Sequence, residues 1–297
     1  MLTRALLPTL FLSHGAGPAF FMKVEKGSPF ADASYDSPAH HAMIDVGKNR
    51  AAYGLPENPS ALVVISAHWE DDGFHVYSPE SLRLMYDYHG FPEHTYKLKY
   101  EAPTSPLLAR RIVEMINADK EIKEKAVLDE KRRGFDHGVF LPLMLLFPEA
   151  KYPIVQISLS SRLDLDDHIR LGRILAPLRA ENVLIIGSGS ATHPMRPGGS
   201  SSKTEKFMTL MNSVITNPSL SPEERLKALP NIWNSELMSS AHIPTSEHLT
   251  PLAVSVGAGN GSIGTDLFKI GKDFRFANGL FSMACYIFHA QDEKCSI

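Results

Sequence analysis

The chain has few of the features that mark secreted, nucleic-acid-binding or membrane proteins. Its 297 residues include only two cysteines, Cys285 and Cys295, which lie in no C-x-x-C arrangement. Because two such cysteines cannot form a disulfide framework, we expect a reducing, cytoplasmic location. A net charge of −3 provides no basic field for a nucleic-acid backbone. No apolar run reaches the roughly 18 residues that a membrane-spanning helix needs, so we expect no membrane partner.

Histidine, by contrast, is abundant, with 13 residues. The apolar run Leu62–Ile65 predicts a buried strand that reaches its carboxyl end at Ser66, and His68 follows it. In open α/β sheets, ligands bind in the crevice beyond the carboxyl ends of the strands. His68 is therefore a candidate site residue, although a single histidine of this kind is more often a partly buried residue that a backbone carbonyl satisfies.

The same pattern occurs twice more. The run Leu10–Ser13 leads into His14, and we interpret it as the first strand and not as part of a signal peptide, because no small-residue cleavage site follows. The run Val183–Gly187 leads through a short polar stretch to His193. Parallel strands would bring all three histidines to one edge of the sheet. A metal ion is the simplest explanation for three converging imidazoles.

The order of the predicted elements indicates an α/β fold. Residues 152–159 read as a buried strand, residues 163–180 as a helix and residues 182–187 as the next strand. This order predicts a right-handed parallel unit. A chain of 297 residues that is 43% hydrophobic can form one large α/β domain or two small ones.

Two further histidines lie at expected helix starts. His137 precedes an apolar run, where it is either a helix cap or a site residue whose tautomer a neighbouring acid holds. His248 precedes Thr250 and Pro251, which suit an N-cap and a first helical position, but an earlier start with Pro251 inside the first turn is equally compatible. Residues 259–264 match G-x-G-x-x-G formally, but too few residues follow for the helix that a dinucleotide site requires.

Five histidine-containing blocks carry a family resemblance. They are FLSHG around His14, VVISAHWE around His68, GFDHGVFLPLMLLFPEA around His137, GSGSATHP around His193 and EHLTPL around His248. Together they resemble the class III (LigB-type) extradiol ring-cleavage dioxygenases, and most closely the branch that contains bacterial and plant DOPA 4,5-dioxygenases. The resemblance implies one catalytic domain over residues 1–297. Its expected fold is an α/β sandwich with a central mixed, largely parallel sheet, helices on both faces and a metal site at the carboxyl edge of the strands.

The resemblance also implies roles for the histidines. His14, His68 and His248 correspond to metal ligands. His193 corresponds to a residue described both as a further metal-site residue and as the acid/base, and His137 to one that holds or deprotonates the substrate. Because well-known members of the class use two histidines and a glutamate, the third ligand is either His248 or its neighbour Glu247.

The implied reaction is the opening of a catechol ring with O2 beside the two hydroxyl groups. Fe(II) is the expected metal for turnover, and Zn(II) is expected to bind the same ligands. The stretch HPMRPGG after His193 replaces an acidic stretch of the plant enzymes, so the sequence does not identify DOPA itself as the substrate. Two other functions are compatible with this fold: a non-enzymatic adaptor that binds a phosphotyrosine-like ring, and a zinc hydrolase with Glu247 or Glu70 as general base.

Overall fold

The computed structural model describes residues 6–129, 133–195, 200–268 and 274–289. The strands in these residues are β1 (Thr9–Ser13), β2 (Ala61–Asp71), β3 (Phe74–Tyr77), β4 (Ala126–Leu128), β5 (Ile154–Ser160), β6 (Val183–Gly189), β7 (His193–Pro194), β8 (His242–Ile243), β9 (Gly264–Asp266), β10 (Arg275–Phe276), β11 (Phe281–Ser282) and β12 (Tyr286–Phe288). The α-helices are α1 (Pro38–Lys48), α2 (Pro106–Ala118), α3 (His137–Leu146), α4 (Leu165–Leu175), α5 (Ser201–Ile215), α6 (Pro222–Trp233), α7 (Met238–Ala241) and α8 (Thr250–Ala258).

Eight of the strands form one mixed sheet in the order β4-β3-β5-β2-β6-β1-β12-β9. The four central strands β5, β2, β6 and β1 run parallel. Antiparallel strands extend the sheet on both sides, because β3 pairs antiparallel with β5 and β12 antiparallel with β1. The expected α/β fold with a mixed, largely parallel sheet is therefore confirmed.

Helices cover both faces of this sheet, as expected. Successive side chains of a strand point to opposite faces, and β2 shows this directly. Leu62 and Val64 pack into a core that includes α1 and α3. Val63 and Ile65 pack on the other face, into a core that includes α2, α4 and α8. A third core packs α5 and α6 against α8 and the end of the sheet formed by β1 and β12.

Strand β2 differs from the prediction at its carboxyl end. It does not end at Ser66 but continues to Asp71, with a shift of its register against β5 between Ile65 and Glu70. The Ser66 hydroxyl accepts a hydrogen bond from the backbone N–H of His68 at 3.2 Å, so the polar residue bonds within its own strand and does not end it. An irregularity of this kind re-aims side chains. His68 therefore lies inside the strand and not in a loop after it.

The start of α8 resolves an alternative that the sequence left open. Leu249 is the N-cap residue, and its side chain makes no cap hydrogen bond. Thr250 and Pro251 are the first two helical residues. The earlier helix start is the observed one. The glycine-rich residues 259–264 follow this helix and lead into the three-residue strand β9, so they lack the preceding strand and following helix of a dinucleotide-binding motif.

Helices α4 and α8 touch through their backbones. A Cβ atom added at Gly172 would lie 2.2 Å from the carbonyl oxygen of Val254, and one added at Gly257 would lie 2.2 Å from that of Ile169. Every residue of α8 is buried, so this helix has no exposed side on which it could shift. Its amino end follows His248 directly, and the contact therefore holds that histidine in place. None of the helices in the described part of the chain is both long and apolar enough to cross a bilayer.

We predict that Gly172→Ala destabilises the protein. The added methyl group forces the two helices apart, and overpacking of this kind costs on the order of 1–3 kcal/mol, more than the gain in helix propensity of up to about 1 kcal/mol. Thermal and denaturant unfolding measure the effect. The control is Arg173→Ala on the exposed side of the same helix, which should change the free energy of unfolding by less than about 0.5 kcal/mol. Equal stabilities of both variants would contradict the close-packed contact.

Candidate metal centre

The structure brings the five histidines singled out in the sequence together. Two groups have ligand atoms within 4.8 Å of one another, namely His14, His68 and His137, and His193, Glu247 and His248. The Nε2 atom of His68 connects the groups, because it lies 3.1 Å from Nε2 of His14 and 3.2 Å from Nε2 of His248. Each histidine comes from a different part of the fold: the end of β1, the irregular part of β2, the first residue of α3, β7 and the residue pair before α8.

The His14 ring is oriented by β6 and α3. Its backbone N–H donates to the carbonyl of Gly189 at 2.9 Å, which continues the pairing of β1 with β6. Its Nδ1 lies 3.0 Å from the Ser188 hydroxyl, which itself donates its proton to the carbonyl of Gly138. Because the hydroxyl has only one proton, it accepts from His14 Nδ1. The Nε2 atom of His14 is then the unprotonated one.

The other two rings follow the same rule with carboxylates. The Nδ1 atom of His248 donates to Glu247 Oε1 at 2.9 Å, and Glu247 also accepts a hydrogen bond from the Thr245 hydroxyl. The Nδ1 atom of His68 lies 3.3 Å from Asp87 Oδ2. An acceptor on one side of an imidazole holds the proton there and leaves a lone pair on the opposite nitrogen. Three Nε2 lone pairs therefore face one another.

Burial keeps these three rings neutral. Desolvation, followed by the charges of the neighbouring histidines, lowers the pKa of His14 and that of His68 well below the ordinary value of 6.5. Desolvation also lowers the pKa of His248, to about 4, although the hydrogen bond to Glu247 acts in the opposite direction. Neutral imidazole is the form that binds metal ions.

The arrangement fits a divalent metal ion. Unshared lone pairs at 3.1–3.2 Å repel each other, and a cation between them removes the repulsion. Nitrogens bound at about 2.0–2.1 Å to one ion lie about 3.0–3.4 Å apart, depending on the angle at the metal, which matches the observed spacing. Imidazoles with open positions beside them suit iron, zinc and similar metals. The donor set therefore fits the metal that the sequence implied.

Glu247 lies on the Nδ1 side of the His248 ring, away from the other imidazole nitrogens. Its Oε1 atom accepts from the Nδ1 side of the ring, opposite to the Nε2 atom that faces His68. Desolvation acts to raise the pKa of Glu247, but the nearby His193 ring and hydrogen bonds from His248 and Thr245 outweigh it and lower the pKa below its ordinary value. This arrangement favours His248 over Glu247 as the ligand.

His193 lies against His248 and does not point between the other rings. Their centroids are 3.4 Å apart and the planes differ by 14°, so the two rings stack. The Nδ1 atom of His193 lies 3.5 Å from Glu247 Oε1, at the outer limit of a hydrogen bond. The side chain is 19% exposed, against 6% for His248, so it is open to solvent on one side. The position of the His193 ring therefore suits proton exchange with solvent or substrate better than binding of a metal ion beside the other imidazoles.

The acid that holds His137 is remote in sequence. Asp87 Oδ1 accepts from both the backbone N–H and the Nδ1 of His137, at 2.9 and 2.8 Å. Desolvation acts to raise the pKa of Asp87, but the hydrogen bonds and charge of His137 outweigh it and lower the pKa below its ordinary value. His137 is the first residue of α3 and not its cap, because Asp136 occupies the N-cap position. Of the two readings left open by the sequence, the geometry favours the one in which an acid holds the tautomer of His137.

The sequence neighbour of His137, Asp136, has other partners. It is fully buried and accepts hydrogen bonds from the Ser66 hydroxyl and the Gln156 amide. Arg133 reaches the same carboxylate at 3.1 Å. Desolvation, with the charge of Asp87, raises the pKa of Asp136. Because Ser66 also accepts a hydrogen bond from the backbone N–H of His68, this network stabilises the irregular part of β2.

The sequence reasoning missed two residues of the site, Asp87 and Ser188. Asp87 lies between two tyrosines in an aromatic segment, with no strand, glycine motif or histidine pattern that would mark it. Ser188 lies in the short polar stretch before His193, and no pattern there distinguishes it from its neighbours. Their roles follow from contacts over 50 and 174 positions of sequence, which no local pattern contains.

Comparison with known proteins identifies a family. The family model described as the catalytic LigB subunit of aromatic ring-opening dioxygenase matches residues 8–284. The chain is 38% identical over 237 residues to a 4,5-DOPA dioxygenase extradiol of Beta vulgaris, covering 78% of this chain and 84% of that protein. It is 34% identical over 257 residues to the enzyme of that name from Portulaca grandiflora, covering 84% and 86%. The crystal structure of an uncharacterised Escherichia coli K12 protein aligns with a TM-score of 0.65 at 28% identity, covering 95% of this chain and 99% of the other.

We predict that substitutions at His248 and Glu247 affect metal binding to different degrees. His248→Ala removes a ligand nitrogen and should abolish stoichiometric zinc. Glu247→Gln keeps an oxygen acceptor for His248 and should weaken zinc binding by about 10–100-fold, as is typical of residues that orient a ligand. Competition with a chromophoric chelator measures both affinities. His41→Ala, at an exposed histidine paired with Asp36, is the control and should bind zinc like the unaltered chain. Retention of zinc by His248→Ala, with loss in Glu247→Gln, would make Glu247 the ligand.

Proposed function

This chain belongs to the LigB family of aromatic ring-opening dioxygenases, and we propose that His14, His68 and His248 hold the metal of its active site. Its reaction is the extradiol opening of a catechol ring with O2. The observation that carries the ligand assignment is the convergence of three Nε2 atoms whose rings each have an acceptor at Nδ1. The adaptor and hydrolase alternatives are not favoured, since the relatives that match most of the chain are dioxygenases.

Fe(II) is the metal that we propose for turnover. Bound to three neutral imidazoles, it supplies the one-electron chemistry that allows O2 to react with a catechol, whereas Zn(II) suits the same ligands but has no redox chemistry. The protein contributes the orientation of the ligand rings through Ser188, Asp87 and Glu247. It also shields the rings of His14 and His248 from water, because both are almost completely buried.

We assign the proton-transfer roles to His137 and His193. The Nδ1–H group of His137 donates a hydrogen bond to Asp87. The Nε2 atom is therefore unprotonated and can accept the proton of a catechol hydroxyl. His193 stacks on a proposed ligand and is more exposed, so it can supply a proton to the oxygen-derived group as the ring opens. The two rings approach from different elements, α3 and β7, and flank the cluster. This separation allows one ring to accept a proton while the other donates one.

Aromatic side chains flank both of these histidines. Tyr88 lies edge-on to His137 with centroids 5.7 Å apart, and Phe281 lies edge-on to His193 at 5.9 Å. The loop after β1 packs closely against a further aromatic ring, because a Cβ atom added at Gly17 would lie 3.3 Å from the ring of Phe91. These surfaces suit a flat aromatic substrate.

We propose DOPA and related catechols with a polar side chain as the first substrates to test, because the relatives from Beta vulgaris and Portulaca grandiflora are named for DOPA. The stretch after His193 that departs from the plant enzymes includes residues 196–199, which lie outside the described residues. A cytoplasmic location, and the absence of nucleic-acid and membrane partners, stay predictions from composition.

We predict that the chain consumes O2 and forms a yellow semialdehyde when it is loaded with Fe(II) without air, mixed with a catechol and then exposed to air. An oxygen electrode measures the consumption of O2, and the visible absorption spectrum measures the formation of the semialdehyde. A panel should include DOPA, catechol, protocatechuate and dopamine, because the side-chain preference is open.

The control is the same chain loaded with Zn(II), which binds the catechol without O2 uptake. Absence of uptake and of the semialdehyde with every catechol in the iron-loaded chain would contradict the proposed activity. Turnover by the zinc form would contradict the proposed redox role of the metal.

A further inference from the structure

We propose that Asp87 is a positioning residue that aligns a metal-ligand ring and a proton-transfer ring with one carboxylate. The inference rests on the proposed function, because it concerns the rings that this function uses. It goes beyond that function by assigning a role to a residue outside the five histidine-containing blocks. The ring centroids of His68 and His137 lie 3.9 Å apart, so a group that orients one ring also affects the other.

The two oxygens of Asp87 divide between the two rings. Oδ1 accepts from the backbone N–H and the Nδ1 of His137, at 2.9 and 2.8 Å, and Oδ2 lies 3.3 Å from Nδ1 of His68. The hydrogen bond holds the His137 proton on Nδ1, and the approach of Oδ2 favours the same tautomer in His68. Both Nε2 atoms point away from it as lone-pair acceptors, one toward the imidazole cluster and one available to a substrate hydroxyl.

Asp87 also takes over a function that belongs to the N-cap residue of α3. Asp136 occupies that position, but it makes no side-chain cap hydrogen bond, because its carboxylate bonds to Ser66 and Gln156. The first N–H of the helix is bound instead by Asp87 from a distant loop. The partial positive charge of the helix start further favours a carboxylate here. The Asp87 side chain is thus held at two points and is not free to rotate.

The backbone around Asp87 is fixed to the segment before α3. The N–H of Met85 donates to the carbonyl of Phe135 at 2.8 Å, and the N–H of Phe135 donates to the carbonyl of Arg83 at 2.9 Å. A Cβ added at Gly134 would lie 2.6 Å from the carbonyl carbon of Leu84, so a residue with a side chain would push the two segments apart. This pairing places Asp87 beside His137 independently of any metal ion.

The adjacent tyrosine holds the other side of the segment. Tyr88 is buried, and its hydroxyl donates to the carbonyl of Thr95 at 2.7 Å. Its ring also lies against His137. The loop that carries Asp87 is therefore fixed by backbone pairing on one side and by a buried ring on the other. Such rigid support is what a positioning residue needs.

The test is Asp87→Asn, which keeps the size of the side chain. An amide has one acceptor oxygen and one donor nitrogen, so it cannot present an acceptor oxygen to each of the two imidazoles. We expect the affinity for Zn(II) and Co(II), measured without substrate, to fall by about 10–100-fold. We also expect a changed visible spectrum of the Co(II) form. The matched control is Asp45→Asn, at an exposed carboxylate on α1 that bonds to Asn49 and Tyr53, and it should leave both readouts unchanged.

A double-mutant cycle with His137→Gln tests the second half of the proposal. His137→Gln alone should leave the Zn(II) affinity within about threefold of the unaltered chain, because His137 is not a proposed ligand. At saturating Fe(II), Asp87→Asn should lower kcat more than it changes KM. In the His137→Gln background it should lower kcat by less than about threefold further, since the proton-transfer ring is gone and saturating Fe(II) offsets the weaker metal binding that acts through His68.

The outcomes separate this inference from the proposed function. If the unaltered chain binds no metal and opens no catechol, the proposed function fails. If the unaltered chain does both and Asp87→Asn matches it in metal affinity, Co(II) spectrum and kcat, only the role of Asp87 is wrong. Additive losses of kcat in the double variant would also overturn it. Asp87→Ser, which removes both carboxylate oxygens, should repeat the loss of metal affinity, and a thermal melt of each metal-free variant shows that it is folded.

Discussion

The site depends on the convergence of unprotonated imidazole nitrogens in a buried space. His68 Nε2 lies 3.1 and 3.2 Å from the corresponding atoms of His14 and His248. Such neighbours repel each other unless a cation lies among them. The rest of the structure serves to hold the rings in this arrangement. A serine and two carboxylates fix the protons on the far side of each ring.

The packing of the fold explains how this arrangement is maintained. The parallel central strands bring His14 and His68 close together. The close contact of α4 with α8 fixes the helix that begins just after His248. Below the site, Asp136 joins Ser66 and Gln156 in a fully buried hydrogen-bond network. A side chain displaced anywhere in this set would leave a buried polar group without its partner, which is costly. The site is therefore as rigid as the core around it.

Local patterns predicted the parallel strands and the three histidines that follow apolar runs, whereas the helices on both faces and the roles of His137 and His248 were implied by the family resemblance. Apolar runs mark buried strands, and a histidine just beyond such a run lies at the ligand-binding edge. The extension of β2 past Ser66 was not predictable, because there the Ser66 hydroxyl accepts a hydrogen bond from the backbone N–H of His68 in its own strand. Asp87 was not predictable either. Its importance comes from the pairing of its loop with Phe135, a contact between distant segments.

The most direct test of the shared ion is X-ray absorption spectroscopy of the zinc-loaded chain, together with its metal content. The account predicts one zinc ion per chain with three imidazole nitrogens at about 2.0–2.1 Å. Two ions per chain, one in each of the two neighbouring groups of ligands, would contradict it. A single ion whose ligands are mainly carboxylate oxygens would contradict it as well.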